Sequence, residues 1–101
     1  MSRAFIQVRQ SGELEPLQFD VTIREGGSET RHRVVMSAAD YRRLSAESCR
    51  ADQCIEAAVR FLLDREPKES ILRRFDITLI SRYFPEFEAK LPSYIASLAA
   101  T

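Results

Sequence analysis

Few residues of this chain could take part in nucleophilic or metal chemistry. His32 is the only histidine, and Cys49 and Cys54 are the only cysteines. A catalytic triad needs a histidine base beside a nucleophile, and a structural zinc site needs a close cysteine pair together with a second pair of ligands. The two cysteines are five positions apart, and no second pair follows them. The sequence therefore predicts no catalytic residue, no metal site, no cofactor and no enzyme.

The glycine pair in IREGGSETRHRV, residues 23–34, raises the question of a phosphate-binding loop. Such a loop is followed by a helix whose first N–H groups point at the anion. Here apolar and polar residues alternate on both sides of Gly26 and Gly27, which is the period of a β-strand. We therefore predict a β-hairpin, because glycines accept the positive φ angles of its two-residue turn.

Arginines could contact the phosphates of a nucleic acid, which would position the protein without reading bases. The segment ESILRRFDITLISRYF resembles a helix-turn-helix, but its turn lacks the usual glycine, so a pair of packed helices is favoured. The net charge of zero is also unlike the basic excess of most nucleic-acid-binding proteins. A nucleic-acid-binding regulator is the alternative function, with these candidate contacts: Arg31, Arg33, Arg73, Arg74 and Arg82.

Aromatic residues are dense towards the C-terminus, between Phe75 and Tyr94. Most of these rings are expected in the core. A chain of this size buries only part of its surface, and the rings left outside would form an apolar patch of the kind that marks a partner or dimer surface. The candidate partner surface consists of Tyr83, Phe84, Phe87 and Tyr94.

The strands that carry the hairpin form an antiparallel sheet. The two-residue glycine turn places Phe19 opposite Val34 and Asp20 opposite Arg33, so that apolar partners and opposite charges align on the two faces. His32 falls on the inner face, where burial should keep its ring neutral. A further strand is predicted near Ala4–Arg9, so the sheet has two or three strands.

Helices are predicted for the remainder of the chain. Ser37 followed by Asp40 resembles a capping box, and the i, i+3, i+4, i+7 spacing of apolar residues after Ala51 indicates the main core helix. In the next helix Leu72 is expected to face inward. The predicted helices are Ala38–Ala46, Ala51–Arg65, Lys68–Phe75, Ile77–Phe84 and a last one over residues 93–100, which Pro92 separates from the segment before it.

Length and charge indicate an ordinary globular domain. The 101 residues predict one domain, with a β-meander over residues 1–36 and a helical part over residues 37–101. Each of the two parts carries equal numbers of basic and acidic side chains. The start of the chain has charges too closely spaced for a signal peptide, and the longest uncharged run is too short to span a bilayer. We therefore expect a cytoplasmic protein with no membrane association.

At FLLDREPKESIL and RYFPEFE the chain resembles a family of small uncharacterised bacterial proteins of similar length. In that family a β-hairpin is followed by a main helix, a Glu-Pro step, a short helix and a YFPE segment, in that order. The resemblance covers about residues 17–95 and implies a bacterial, cytosolic, stand-alone domain. It brings no activity, cofactor or functional residue.

Together these features predict an α+β fold, in which a small N-terminal antiparallel sheet is covered by one main helix and several short C-terminal helices. The predicted function is a non-enzymatic protein-interaction or regulatory module. Its partner would be another protein or a second copy, joined through a strand edge or the aromatic segment. Binding to nucleic acid is the alternative.

Overall fold

The computed structural model describes residues 4–46 and 48–99 of the chain. Within these ranges the fold is α+β and contains one sheet, four α-helices and a short 3₁₀ turn. The elements, in chain order, are β1 (Phe5–Gly12), β2 (Leu17–Glu25), β3 (Ser28–Met36), α1 (Ala38–Ser45), α2 (Ala51–Leu63), the 3₁₀ turn (Lys68–Ser70), β4 (Arg74–Asp76), α3 (Leu79–Tyr83) and α4 (Phe87–Ala99).

The hairpin of β2 and β3 has the predicted turn and register. Gly26 and Gly27 have φ angles of 65° and 81°, in the region that side-chain-bearing residues avoid. Phe19 pairs with Val34 and Asp20 with Arg33. Apolar side chains therefore share the inner face of the sheet, and charged ones share the outer face. This prediction is confirmed.

A third strand, β1, lies antiparallel to β2 and is longer than predicted. It extends from Phe5 to Gly12, with a register shift between Gln10 and Gly12. Ile6 is opposite Ile23 on the inner face, and both side chains are buried. The three antiparallel strands are held by this shared apolar face.

The prediction of a helix over residues 68–75 is wrong. After the 3₁₀ turn, Arg74–Asp76 forms β4, which pairs with β3 in parallel. The sheet is thus mixed and four-stranded, in the order β1-β2-β3-β4. The reason is that β3 offers an unpaired edge, where the Arg33 N–H donates to the Arg73 carbonyl and the Ile77 N–H donates to the Val35 carbonyl. Satisfying these backbone groups outweighs the helical spacing of the local sequence.

The α1 and α2 helices agree closely with the sequence. The Ser37 hydroxyl accepts a hydrogen bond from the Asp40 N–H and so caps α1, as expected for an N-cap serine. The Gln53 side chain reaches back to the Arg50 N–H at the start of α2. The α2 helix contacts both β1 and α4, so its buried face forms the centre of the core.

The two C-terminal helices depart from their predicted bounds. The α3 helix is only five residues long, and Asp76 caps the turn before it by accepting a hydrogen bond from the Thr78 N–H. The α4 helix continues through Pro92, although proline cannot donate a helical hydrogen bond. Pro92 is exposed, and the buried residues Phe87, Leu91 and Ile95 recur every fourth position on one face. Packing of this face keeps the helix continuous. The predicted end at Ala100 lies outside the described residues.

None of the described helices has the length and apolar character needed to cross a bilayer.

Candidate functional site

His32 is a structural residue in this fold. Its Nδ1 lies 2.8 Å from the Leu72 carbonyl and its Nε2 lies 2.8 Å from the Thr30 hydroxyl. A carbonyl can only accept, so Nδ1 carries the proton and Nε2 accepts from Thr30. Burial of the ring lowers its pKa, and the nearby Arg73 lowers it further against the effect of the Leu72 hydrogen bond. Both ring nitrogens are therefore occupied in holding β3 to the segment before β4.

The two cysteines are free thiols with little tendency to ionise. Cys54 is fully buried, 4.0 Å from the Met36 sulfur, and burial raises the pKa of its thiol to about 12. Partial burial also raises the pKa of Cys49. Reactive cysteines have lowered pKa values, so neither thiol is suited to act as a nucleophile. Over residues 4–46 and 48–99, no group of three or more His, Cys, Asp or Glu side chains could hold a metal ion.

The predicted aromatic surface is divided by the fold. Phe87 is fully buried and cannot contact a partner, so its assignment to that surface is wrong. Three rings, of Phe84, Phe87 and Tyr94, pack edge-to-face around the Phe61 ring at centroid distances of 5.9, 5.1 and 5.7 Å. Such contacts stabilise the fold beyond simple burial. Tyr83 alone of the four predicted residues is well exposed, at 69%.

Tyr94 is also committed to the fold through its hydroxyl. This group donates to the Asp64 carboxylate at 2.6 Å, and the hydrogen bond raises the pKa of Tyr94. The Arg65 guanidinium lies 3.6 Å from the centre of the Phe61 ring and donates to Glu86. These contacts join the end of α2 to α4, so this part of the predicted surface has a structural role.

An open apolar groove lies between the end of α2, residues 70–75 and α3. Its volume is about 330 Å³. Leu72 and Tyr83 stand on its walls with 51% and 69% of their surface exposed. Leu72 is thus not inward-facing as predicted, because the chain is extended at Ile71 and residues 71–73 are not helical. We call this feature the apolar groove; it is lined by Leu62, Glu66, Ser70, Ile71, Leu72, Phe75, Leu79, Ile80, Tyr83 and Phe84.

Glu66 is the only carboxylate, and no lysine, arginine or histidine is present, among the described residues that line the apolar groove. Partial burial raises the pKa of its carboxyl. No side chain of the described residues donates a hydrogen bond or forms a salt bridge to this carboxylate, whereas the neighbouring Arg65 is engaged with Glu86. Partial desolvation without a partner disfavours the charged form of a carboxyl, and a carboxylate in the lining of a groove is complementary to a cation. Sequence reasoning missed Glu66, because a Glu before a proline looks like an ordinary helix end.

Four of the five predicted arginines lie together, and they line a shallow depression on the outer face of the sheet. One row of side chains crosses all four strands through paired positions: Arg9, Asp20, Arg33 and Arg74. Arg31 is in the next row, opposite Thr22, and Arg73 precedes β4. Arg82 is on α3 and does not line the depression. We call this surface the basic sheet face.

Two carboxylates partly neutralise the basic sheet face. Asp20 lies 3.1 Å from Arg33 and 3.5 Å from Arg9. Glu29 accepts from Arg24 and Arg31 at 2.9 and 3.0 Å, and these hydrogen bonds lower its pKa. Arg73 and Arg74 form no ion pair with any of the described residues. The face therefore keeps a positive excess although the whole chain is neutral.

Comparison with known proteins finds no matching family model, no similar curated protein and no similar solved structure. The resemblance to small bacterial proteins therefore stays a prediction.

Proposed function

We propose that the protein is a non-enzymatic protein-interaction module that binds its partner in the apolar groove. The observation that carries this proposal is the exposure of Leu72 and Tyr83 on the walls of a groove that is otherwise lined mostly by apolar side chains. Apolar side chains exposed around a concavity are typical of binding surfaces. The occupied ring nitrogens of His32 and the raised pKa values of both thiols support a role without catalysis.

The partner we propose is a protein segment that presents apolar side chains next to a lysine or arginine. The apolar side chains would pack between Leu72 and Tyr83, and the cation would pair with the Glu66 carboxylate. Such a pair offsets the cost of desolvating Glu66, whereas a purely apolar segment would increase that cost. A groove of about 330 Å³ is at the lower end of the usual range for ligand pockets, which suits a few side chains of a peptide.

A second copy of this chain fits the groove less well. Among the residues that the structure describes, Leu14 is the most exposed large apolar side chain, at 86%. Leu14 lies between Glu13 and Glu15, so its insertion would bring carboxylates towards Glu66. Like charges brought together in this way oppose binding. We therefore favour a different protein as the partner over a homodimer.

The test is selection of peptides from a random displayed library on immobilised protein. We expect enriched peptides to carry a lysine or arginine beside apolar residues. Binding of one such synthetic peptide should weaken at least about tenfold for Leu72→Ser combined with Tyr83→Ser, since truncated hot-spot side chains cost more than ~1.4 kcal/mol. Glu66→Gln should weaken binding of the same peptide, and selection on the Glu66→Lys variant should enrich acidic peptides instead.

Stability measurements control for loss of structure. Leu72 and Tyr83 are exposed, so their substitution should change the free energy of unfolding by no more than ~0.5 kcal/mol each. Glu66→Gln should not destabilise the fold at neutral pH, because it removes a charge that burial disfavours. Arg82→Ser provides a control, because Arg82 is next to Tyr83 on α3 but does not line the groove. The proposal is wrong if no enriched peptide distinguishes the wild type from the Leu72 and Tyr83 double variant.

The same variants also test whether the groove binds a second copy of the chain. If light scattering shows a concentration-dependent dimer of the wild type, and the double variant is monomeric, the groove holds a second copy and not a foreign partner. We also propose a cytoplasmic location, which the two unpaired thiols support.

A further inference from the structure

The outer face of the sheet presents a second candidate surface, separate from the apolar groove. Four rows of side chains on this face, those of Arg9, Thr22, Glu29 and Gln18, carry five arginines and three carboxylates, which leaves two positive charges uncompensated. Arg73 borders the same depression and adds a third. The depression has a volume of about 470 Å³. Positive charge concentrated on one face of a neutral chain is an electrostatic signature of polyanion binding.

We propose that the basic sheet face binds single-stranded nucleic acid, with the arginines on the phosphates and Phe5 stacked on a base. Phe5 is on β1 with 59% of its surface exposed, and its partner Arg24 is on the outer face. A phenylalanine exposed on a strand has no packing role there, whereas bases of a single strand stack on such rings. Because the arginines are at paired positions on neighbouring strands, they can contact successive phosphates of one nucleic-acid strand that crosses the sheet.

A duplex fits this surface less well. Three gaps between neighbouring strands make the sheet about 14 Å wide before side chains are added. The major groove of B-DNA is about 12 Å wide and admits a helix or a two-stranded ribbon. The sheet face could therefore touch only the outside of a duplex, and the bases would stay out of reach of Phe5. Arg82, on α3, does not contribute to this site.

The test uses fluorescence anisotropy with labelled oligo-dT, oligo-U and a mixed-sequence duplex, titrated with the full chain at low salt. We expect saturable binding of both single strands and weaker binding of the duplex. For three to five phosphate contacts, the slope of log K against log salt should lie between about −2 and −3.5, since each contact to a single strand contributes about 0.7. Comparison of the affinities for oligo-dT and oligo-U shows whether the surface prefers DNA or RNA as the source of the phosphates.

Paired variants locate the site. Arg73→Gln with Arg74→Gln removes two exposed charges that have no ion-pair partner among the described residues, and it should make the salt slope less steep by about 1.4. Arg42→Gln with Arg82→Gln removes the same charge from exposed helix positions and should leave binding unchanged. Phe5→Ser should weaken binding of the single strands without changing the salt slope. Circular dichroism confirms that each variant is folded.

Three results would overturn the proposal. The first is the absence of saturable binding to either single strand at low salt. The second is an equal loss of binding in the Arg42 and Arg82 control, which would indicate attraction to net charge and not to the sheet face. The third is equal affinity for duplex and single strands together with no effect of Phe5→Ser, which would leave only general polyanion attraction. Anionic vesicles, run in parallel, should bind more weakly than oligo-dT at the same salt, and stronger binding to vesicles would contradict the proposed ligand.

Discussion

Phe87 and Tyr83 are four residues apart, and the structure predicts opposite consequences for their removal. Phe87 has no exposed surface and packs edge-to-face on Phe61, whereas Tyr83 is 69% exposed. Truncation of a buried phenylalanine to alanine costs about 3–5 kcal/mol. A domain of this size is stable by only ~5–15 kcal/mol. Phe87→Ala should therefore remove at least about a fifth of the total stability, and Tyr83→Ala should change it by at most ~0.5 kcal/mol.

Urea denaturation measures both effects. The chain has no tryptophan, so far-UV circular dichroism is the suitable signal. With an m-value of ~1.5 kcal/mol per M, a loss of ~4 kcal/mol lowers the urea midpoint by roughly 2–3 M, and a change of ~0.5 kcal/mol moves it by about 0.3 M. If Phe87→Ala does not fold, Phe87→Leu keeps most of the side-chain volume and should cost less than ~1.5 kcal/mol.

The assignment of Phe87 to the core and Tyr83 to the groove would be refuted by similar midpoints for the two alanine variants. A large fall for Tyr83→Ala would mean that its ring is packed against the fold. It would also disqualify the Tyr83 substitution as a test of peptide binding, because a lost ligand could not then be separated from lost structure.

Two further predictions concern His32 and the cysteines. Burial gives His32 a folded pKa below its ordinary value of 6.5, so its contribution to stability is fully present above that pH and declines as the pH falls towards the folded pKa. The melting temperature of the wild type should therefore fall more between about pH 7 and pH 5 than that of His32→Gln. Parallel curves of melting temperature against pH would contradict the assignment of His32 to the core. In the native protein a thiol reagent should label Cys49 before Cys54, which is fully buried with a pKa of about 12, and mass spectrometry should find Cys54 labelled only when urea unfolds the chain.

The hairpin could be predicted from sequence because its determinants are local. The two-residue turn needs a positive φ at adjacent positions, which the two glycines accept, and this turn fixes which residues face each other on β2 and β3. The register then places apolar residues opposite each other, as with Phe19 and Val34, and opposite charges together, as with Asp20 and Arg33. Turn chemistry and side-chain pattern give the same answer over about twenty residues, which is the situation in which sequence reasoning is reliable.

The β4 strand could not be predicted in this way, because its cause is distant in the chain. It is three residues long, too short to show a strand period. The spacing of Ile71, Leu72 and Phe75 satisfies a helix equally well. What decides the conformation is the open edge of β3, about forty residues earlier, to which His32 and Arg33 bind the Leu72 and Arg73 carbonyls. The apolar groove was missed for the same reason, since Leu72 is exposed only when this segment is extended.

The aromatic segment shows a different limit. Its composition predicts that some rings are buried and some exposed, but it does not identify them. The choice depends on Phe61, which accepts three rings around it and so removes Phe87 from the surface. Tyr83 stays outside because it is at the end of a five-residue helix on the wall of the groove. Three-dimensional packing, and not aromatic density, decides which residue can meet a partner.

Residues 71–75 connect the two candidate surfaces physically. Ile71, Leu72 and Phe75 line the apolar groove, while Arg73 and Arg74 line the basic depression on the sheet. This segment is held to β3 through two successive carbonyls, so a shift of its backbone would alter both surfaces at once. Substitutions that weaken this attachment, at His32 above all, therefore cannot separate peptide binding from nucleic-acid binding. Only changes of exposed side chains, at Leu72 for the groove and at Arg73 for the sheet face, leave the backbone in place and assign each ligand to its own surface.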